Sequence, residues 1–411
     1  MGGEALASMS SPVSRPAEPD GEPGDLALVM GGGGARAAYQ VGVLSGLARL
    51  HPKIKIPILT GVSAGAINTG FLASHTDDFD RRVERLSDLW QSLTTDTVFR
   101  SDAYAMIKTL LLWGLRLVGG GGKLTTPTRG MVDTSPLREF LEKALAAEDG
   151  ALVGVRENLA SGWLKAVGIT TTDYTTGQSI TFVQGRELST WDRPMRRGIL
   201  TELTVAHVLA SASLPLFFPA VQIGEQWHGD GGVRLTAPLA PALHLGAERI
   251  LAISTRYQKS SVEADRPTTV GYPPPAQVLG ILFNAIFLDM LDYDALNMDR
   301  LNRLLREVPE EKRMGLRTAD LLIIRPSQDL SLLASRYEPR LPQPFKFLTR
   351  SLGTRETKSP DSLSMVMFEE KYIRHAMQLG EEDARRRGPE LAAFVAGEKL
   401  PSIQQTGFWR I

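Results

Sequence analysis

Along the first third of the chain, short apolar runs cut off by glycine alternate with apolar residues at helical spacing. Leu26–Met30 (LALVM) has the length of a strand and stops at Gly31–Gly34. Beyond it, Tyr39, Val43, Leu44 and Leu47 recur at helical spacing within Ala35–Leu50. Ile54–Thr60 is a second short run; it ends at Gly61, and a helical pattern follows over Ala66–Ala73. Strand, glycine loop, helix, strand, tight turn, helix is the grammar of a parallel sheet with helical crossovers. Further strands are predicted over Leu164–Thr170, Gln178–Val183, Ala220–Trp227, Ile250–Ser254 and Leu321–Ile324. The last is a continuous apolar run, as expected of a strand buried on both faces. The expected fold class is α/β with a mainly parallel sheet.

An insertion with an apolar helix and a Gly119–Gly122 break is read at about 94–130. A Pro-rich loop, Ser260–Pro275, precedes an apolar helix at Val278–Leu291. Tyr337–Pro360 reads as loop, Ser362–Leu379 as helix, and Glu381–Arg387 as a charged stretch. Residues 1–24 are rich in Pro, Gly, Ala and Ser, without the basic and apolar regions of a signal peptide, and are predicted to be a disordered tail. The longest apolar stretch, Tyr104–Val118, is broken by Lys108 and Arg116. It falls short of the roughly 20 residues that a bilayer span needs. No transmembrane segment is expected, and a cytoplasmic protein, at most peripheral to membranes, is the plain reading.

Composition narrows the chemistry. The 411 residues are 43% hydrophobic and 22% charged, as in an ordinary soluble protein with a large core. With 46 basic against 46 acidic side chains, a nucleic-acid partner is not expected, because phosphate contacts demand a basic excess. The chain has no cysteine, which excludes disulfides, thiol nucleophiles, iron–sulfur clusters and cysteine-bound zinc. Neither H-E-x-x-H nor a compact His/Asp/Glu cluster supports a metal, and no cofactor is expected. Any nucleophile must come from another residue type.

Gly61-Val62-Ser63-Ala64-Gly65 fits G-x-S-x-G directly after an apolar strand and before a helix. A sharp strand-to-helix turn strains the serine, so its neighbours must lack bulk. The hydroxyl then stands at a helix N-terminus, where developing negative charge is favoured. The bland alternative is a structural Gly-rich turn. Gly31–Gly34 admits three readings. As a dinucleotide fingerprint it fits only the relaxed G-x-G-x-x-A form, and the acid expected about 20 residues on is replaced by His51–Pro57 (HPKIKIP). A Walker loop fails because Gly122-Lys123 is followed by Leu124. The preferred reading is an oxyanion hole, in which side-chain-free residues turn backbone N–H groups toward one oxygen.

The base that should activate this serine is less obvious. Of six histidines, only His244 and His375 follow at the positions an ordinary α/β-hydrolase order would need. His244 lies in the apolar stretch Pro238–Gly246 and His375 among helix charges, so both read as structural. The serine also comes too early, after only the second strand, for that fold. Asp230-Gly231-Gly232 follows a strand candidate; alone, Asp-Gly is most simply a turn.

Taken in order, GGGGAR (Gly31–Arg36), GVSAG (Gly61–Gly65), ASASLPLFFPAV (Ala210–Val221) and DGG (Asp230–Gly232) resemble the patatin-like phospholipase family. TTDYTTGQSITF (Thr171–Phe182) looks like the internal strand–turn–strand piece of that family. The similarity covers roughly Asp25–Tyr257, and Asp133–Leu145 and Leu321–Ala384 look like a bacterial branch of it. One departure is Ala37, where the family usually has glycine; Ala is acceptable there if the backbone angles are ordinary helical ones.

The resemblance implies a three-layer α/β/α fold: a catalytic domain over 25–257, with a mostly helical extension over 258–411 that packs on and completes the core. It implies a Ser–Asp dyad without histidine, Ser63 as nucleophile and Asp230 as base. Gly32, Gly33 and Gly34 would form the oxyanion hole, with Arg36, Gly61, Gly65, Gly231 and Gly232 in support. An unperturbed Asp has a pKa near 3.9 and is a weak base at pH 7, so esters, whose alkoxide leaving groups need less help than amines, are the expected substrates, and the resemblance implies that they are esters of lipids. Arg36 would fix the glycine loop, meet an anionic head group, or be a plain surface charge. The expected partner is a lipid or membrane surface, and a homo-oligomer is compatible with everything above. A non-catalytic lipid-binding protein or an acyltransferase on the same fold are the alternatives. Tyr104–Val118 and the helix around Leu282–Leu291 are candidates for a lid or interfacial helix, a buried core helix being expected over either.

Overall fold

A computed structural model describes residues 24–98 and 132–399, apart from 216, 270, 344–345, 347–348, 351–352 and 358–360. The predicted tail, the insertion beyond Val98 and the 104–118 helix lie outside the described residues.

Ten strands form one mixed sheet: β1 (Leu26–Met30), β2 (Ile58–Val62), β3 (Ala166–Asp173), β4 (Ser179–Gly185), β5 (Asp192–Arg193), β6 (Arg196–Leu200), β7 (Val221–Ile223), β8 (Gln226–Asp230), β9 (Arg249–Ile253) and β10 (Asp320–Ile324). The spine β10-β9-β1-β2-β3 is parallel throughout, and β4 is antiparallel to β3. Alternate residues of each spine strand point to opposite faces, and both faces are buried. Leu26, Leu28 and Met30 of β1 enter one core with Leu251 and Ile253 of β9; Ala27 and Val29 enter the other with Ile250 and Ala252. The first core is filled by α1 (Ala38–Leu50), α2 (Ala64–Ser74), α3 (Phe79–Ser92) and the helix Glu370–Arg386. The second is closed by Leu239, Ala242 and Leu245 with Leu291, Ala295 and Met298. Helices on both faces of a mostly parallel sheet make the three-layer α/β/α architecture.

Three departures from the sequence reading have physical causes. The expected strand over Ala220–Trp227 is a hairpin instead: β7 and β8 are broken at Gly224, whose φ of 60° turns the chain. The strands β5 and β6 were not foreseen, because their pattern is polar and largely exposed. The apolar helix at Val278–Leu291 is two helices, Pro275–Phe287 and Met290–Glu307. The combined run Pro275–Glu307 is apolar and long enough to cross a membrane by length and composition, yet Leu291, Ala295 and Met298 of its second half pack into the core. Its first half is not the buried core helix expected: Val278, Ile281 and Leu282 are exposed.

Candidate active site

Strand register brings the two motifs together. The last residue of β2, Val62, lies opposite Thr170 of β3. Strand β8 runs antiparallel to β3 and places Asp230 opposite the next residue, Thr171. β2 and β8 therefore end head to head beside β3, and the residues at those ends, Ser63 and Asp230, adjoin. Ser63 sits at φ 57° and ψ −133°, the left-handed region that an L-residue occupies only under strain. A side chain on either flanking glycine would forbid the turn. A Cβ on Gly61 would come 2.3 Å from Thr69 Oγ1, and one on Gly65 would come 2.2 Å from the Met30 carbonyl oxygen. The Ser63 N–H donates to Ser211 Oγ (3.0 Å), and the Ser211 hydroxyl donates to the Thr170 carbonyl (2.6 Å). The Asp230 N–H donates to the Ser213 carbonyl (3.0 Å). Thus the two serines of the Ala210–Ser213 segment fix the two arms of the site.

Asp230 is fully buried. Its Oδ1 accepts from the Gly232 N–H (2.9 Å), while Oδ2 has no hydrogen bond among the described residues. Burial raises the carboxyl to about 7; the adjacent Ser63 hydroxyl and the Gly232 N–H pull the other way. The Ser63 hydroxyl thus adjoins the carboxylate closely enough to influence it, without completing a well-formed hydrogen bond. The weak base expected from an unperturbed Asp is replaced by one matched to neutral pH. Gly231 is confined by the Thr170 carbonyl and Gly232 by the Phe287 ring, each within 2.3 Å of where a Cβ would stand.

The glycine loop follows β1, next to β2 in the sheet. Gly33 and Gly34 have φ of 139° and 55°, and a Cβ on Gly32 would lie 3.0 Å from the Ser63 Cβ. Among the described residues, the Gly32 and Gly33 N–H groups make no hydrogen bond. Ala37 has φ −66° and ψ −10°, so alanine in place of glycine costs the loop nothing there.

Arg36 is neither a surface charge nor open to a head group. It is buried, and its guanidinium donates to Ser364 Oγ (2.6 Å), Ser331 Oγ (2.8 Å) and both the carbonyl and Oδ1 of Asp361 (2.9 Å each). The same C-terminal segment supports Gly34, whose Cβ would strike the Met365 carbonyl at 2.0 Å.

No histidine bonds to Ser63 or Asp230 among the described residues. His207 caps the helix Val205–Ser211 through Thr204, and burial lowers it to about 4. His228 pairs with Thr171 Oγ1 (3.0 Å), His375 with the Tyr337 hydroxyl (3.0 Å), and His244 stacks on Trp191.

On one side Ser63 opens into an almost wholly apolar pocket, walled by Leu89, Trp90, Leu137, Phe140, Val366 and Phe368 among others. On the other side a smaller apolar pocket lies against Gly32, Val62, Gly232 and Phe287. The contribution of Met365, Val366 and Phe368 was missed in sequence reasoning, and only the resemblance of the tail hinted at it. Ser211 was visible inside the Ala210–Val221 block, but no spacing announced its bond to Ser63.

No curated protein sequence matches the chain. Among solved structures, VipD from Legionella pneumophila is similar at 14% identity, covering 84% of this chain and 67% of its own, with a TM-score of 0.35. Human GIVD cytosolic phospholipase A2 is similar at 13% identity, covering 94% of this chain and 61% of its own, with a TM-score of 0.46. The chain thus spans about three fifths to two thirds of the length of these structures. The patatin-like phospholipase family matches residues 28–243, more than half of the sequence. Because that match contains the glycine loop, the serine turn and the Asp-Gly-Gly turn in order, the chain belongs to the patatin-like phospholipase family.

Proposed function

We propose that this protein is a serine acyl hydrolase acting on carboxylic esters of lipids, with Ser63 and Asp230 as its catalytic dyad. One observation carries the reading: a strained serine adjoins a buried carboxylate of near-neutral pKa, at the mouth of an apolar pocket. The Ser63 hydroxyl attacks the ester carbonyl carbon while Asp230 takes its proton. The carbonyl oxygen becomes an oxyanion that the N–H groups of Gly32, Gly33 and Gly34 receive; those of Gly32 and Gly33 have no hydrogen-bond partner among the described residues. Collapse breaks the bond to the leaving alkoxide, and Asp230 returns the proton to it. Water, deprotonated by Asp230, then hydrolyses the acyl-serine to a carboxylic acid and free Ser63. An alkoxide leaving group needs less protonation than an amine, which suits a carboxylate base and no imidazole. The acyl chain lies in the apolar pocket, whose lining offers hydrocarbon contact and few polar partners.

Ser63→Ala and Asp230→Asn, assayed on p-nitrophenyl esters and on phospholipids, are each expected to lose about a thousandfold or more of kcat. A fluorophosphonate should label the wild type and spare Ser63→Ala. Full activity in either variant overturns the dyad.

A further inference from the structure

Helix Pro275–Phe287 (PAQVLGILFNAIF) contains no charged residue, and its amphipathicity is reversed. Its buried positions are small ones, while the small Ala285 joins the exposed face. Ala276 and Gly280 are buried, and a Cβ on Gly280 would lie 3.0 Å from the Asp361 Cβ. Gln277 donates to Thr268 Oγ1 (3.1 Å) and accepts from the Thr357 hydroxyl (2.6 Å); the Asn284 Oδ1 is buried. Outward stand Val278, Ile281 and Leu282, at 45%, 58% and 50% exposure, in the i, i+3, i+4 spacing of one helical face. Tyr272, 94% exposed, stands just ahead of them in the turn that enters the helix. A helix facing water does the opposite.

The placement of this helix says what covers that face. At its C-terminal end the Phe287 ring lies against Gly32 and Gly232, beside Ser63 and Asp230. We propose that helix Pro275–Phe287 docks in the plane of a lipid surface through Tyr272, Val278, Ile281 and Leu282, and so sets the Ser63 site against the esters of that surface. The inference rests on the acyl-hydrolase reading, because a hydrocarbon substrate for the apolar pocket resides in such a surface. At about 1.5 Å per residue the helix of 13 residues is about 20 Å long, too short to span a hydrocarbon core of about 30 Å, so it lies in the interface. An exposed tyrosine at its entry suits the headgroup level. With balanced charge over the whole chain and none on the helix, the attachment is apolar rather than electrostatic.

The test uses full-length Ser63→Ala, so that the lipid is not consumed, in sedimentation with phosphatidylcholine vesicles at low and high salt. Binding that salt does not weaken is expected. Adding Ile281→Asp and Leu282→Asp should weaken it at least tenfold. With Ser63 intact, the same double variant should hydrolyse water-soluble p-nitrophenyl butyrate like the wild type and lose activity on vesicles. Leu282→Trp provides a reading free of acidic substitution: its fluorescence should shift to the blue on vesicles. Unchanged vesicle binding by the double variant, or no blue shift, overturns the docking. So does a dimer in light scattering that the double variant abolishes while the parent ignores vesicles. Vesicle binding without hydrolysis of any ester leaves the docking intact and sinks the hydrolase reading; hydrolysis of soluble esters without vesicle binding does the reverse.

Discussion

On the proposed mechanism, in which Asp230 is the base, a single carboxylate decides the pH behaviour of this site. Asp230 is fully buried, and burial lifts it from 3.8 to about 7, so near neutrality it exchanges its proton readily. Since the base must be ionised, kcat/KM for an ester should rise with pH as a single titration centred near 7 and then level off. A flat profile between pH 5 and 8 would remove Asp230 from that role. Stability moves the other way. Between about 4 and about 7 the folded protein holds a proton that the unfolded chain releases, so this residue's contribution falls as pH rises through that window and stays low above it. Asp230→Asn abolishes the buried charge; it should raise Tm at pH 8 and leave Tm almost unchanged near pH 4. Sequence disclosed that Asp230 follows a strand and precedes two glycines, but not its burial, and burial is what makes a carboxylate useful at pH 7. Arg36 shows the same limit. Its four hydrogen bonds run to Ser331, Asp361 and Ser364, about 300 positions away, beyond the reach of any local pattern.

Elements inherit their geometry from register. Short apolar runs foretold β1, β9 and β10 to within a residue or two, because strands buried on both faces have continuous hydrophobic sequence. Polar β5 and β6 carry no such signal, and the β7–β8 break hides inside one apolar-flanked stretch with a glycine at its turn. That break matters most, since β8 must reverse direction to end at Thr171, where β2 leaves off. The helix Val205–Ser211 then ties the junction: Ser211 accepts from the Ser63 N–H and donates to Thr170. Replacing Ser211 with Ala leaves a buried N–H and a buried carbonyl without this partner and loosens the strained turn. We expect kcat on p-nitrophenyl butyrate to fall by about ten- to a hundredfold with little change in KM, because positioning is lost and binding is not. An equal loss in KM, with kcat intact, would place Ser211 in substrate contact instead.

Across the whole molecule, the family match stops at residue 243 while the described structure keeps building the same core to its end. Strand β10 extends the sheet, Tyr372, Ile373 and Met377 pack in the first core, and the Tyr39 hydroxyl bonds to Asp383 (3.0 Å). The segment that anchors Arg36 also supplies Met365, Val366 and Phe368 to the pocket at Ser63. Chemistry and substrate size therefore have different sources: the matched region holds the proposed dyad, and the C-terminal region limits the space beside it. Val366→Trp should separate the two. The added indole enlarges a wall of the pocket that Val366 shares with Trp90, Leu89 and Phe140, while the side chains of Ser63 and Asp230 are left unaltered. For p-nitrophenyl butyrate, whose short chain needs little of the pocket, kcat/KM should stay within about twofold of the wild type. For p-nitrophenyl palmitate it should fall at least about tenfold, the scale expected when one or more methylenes lose their place in an apolar pocket. Parallel losses on both esters would mean that the tail supports the dyad alone, and that the acyl chain leaves Ser63 by the smaller pocket against Gly232 and Phe287.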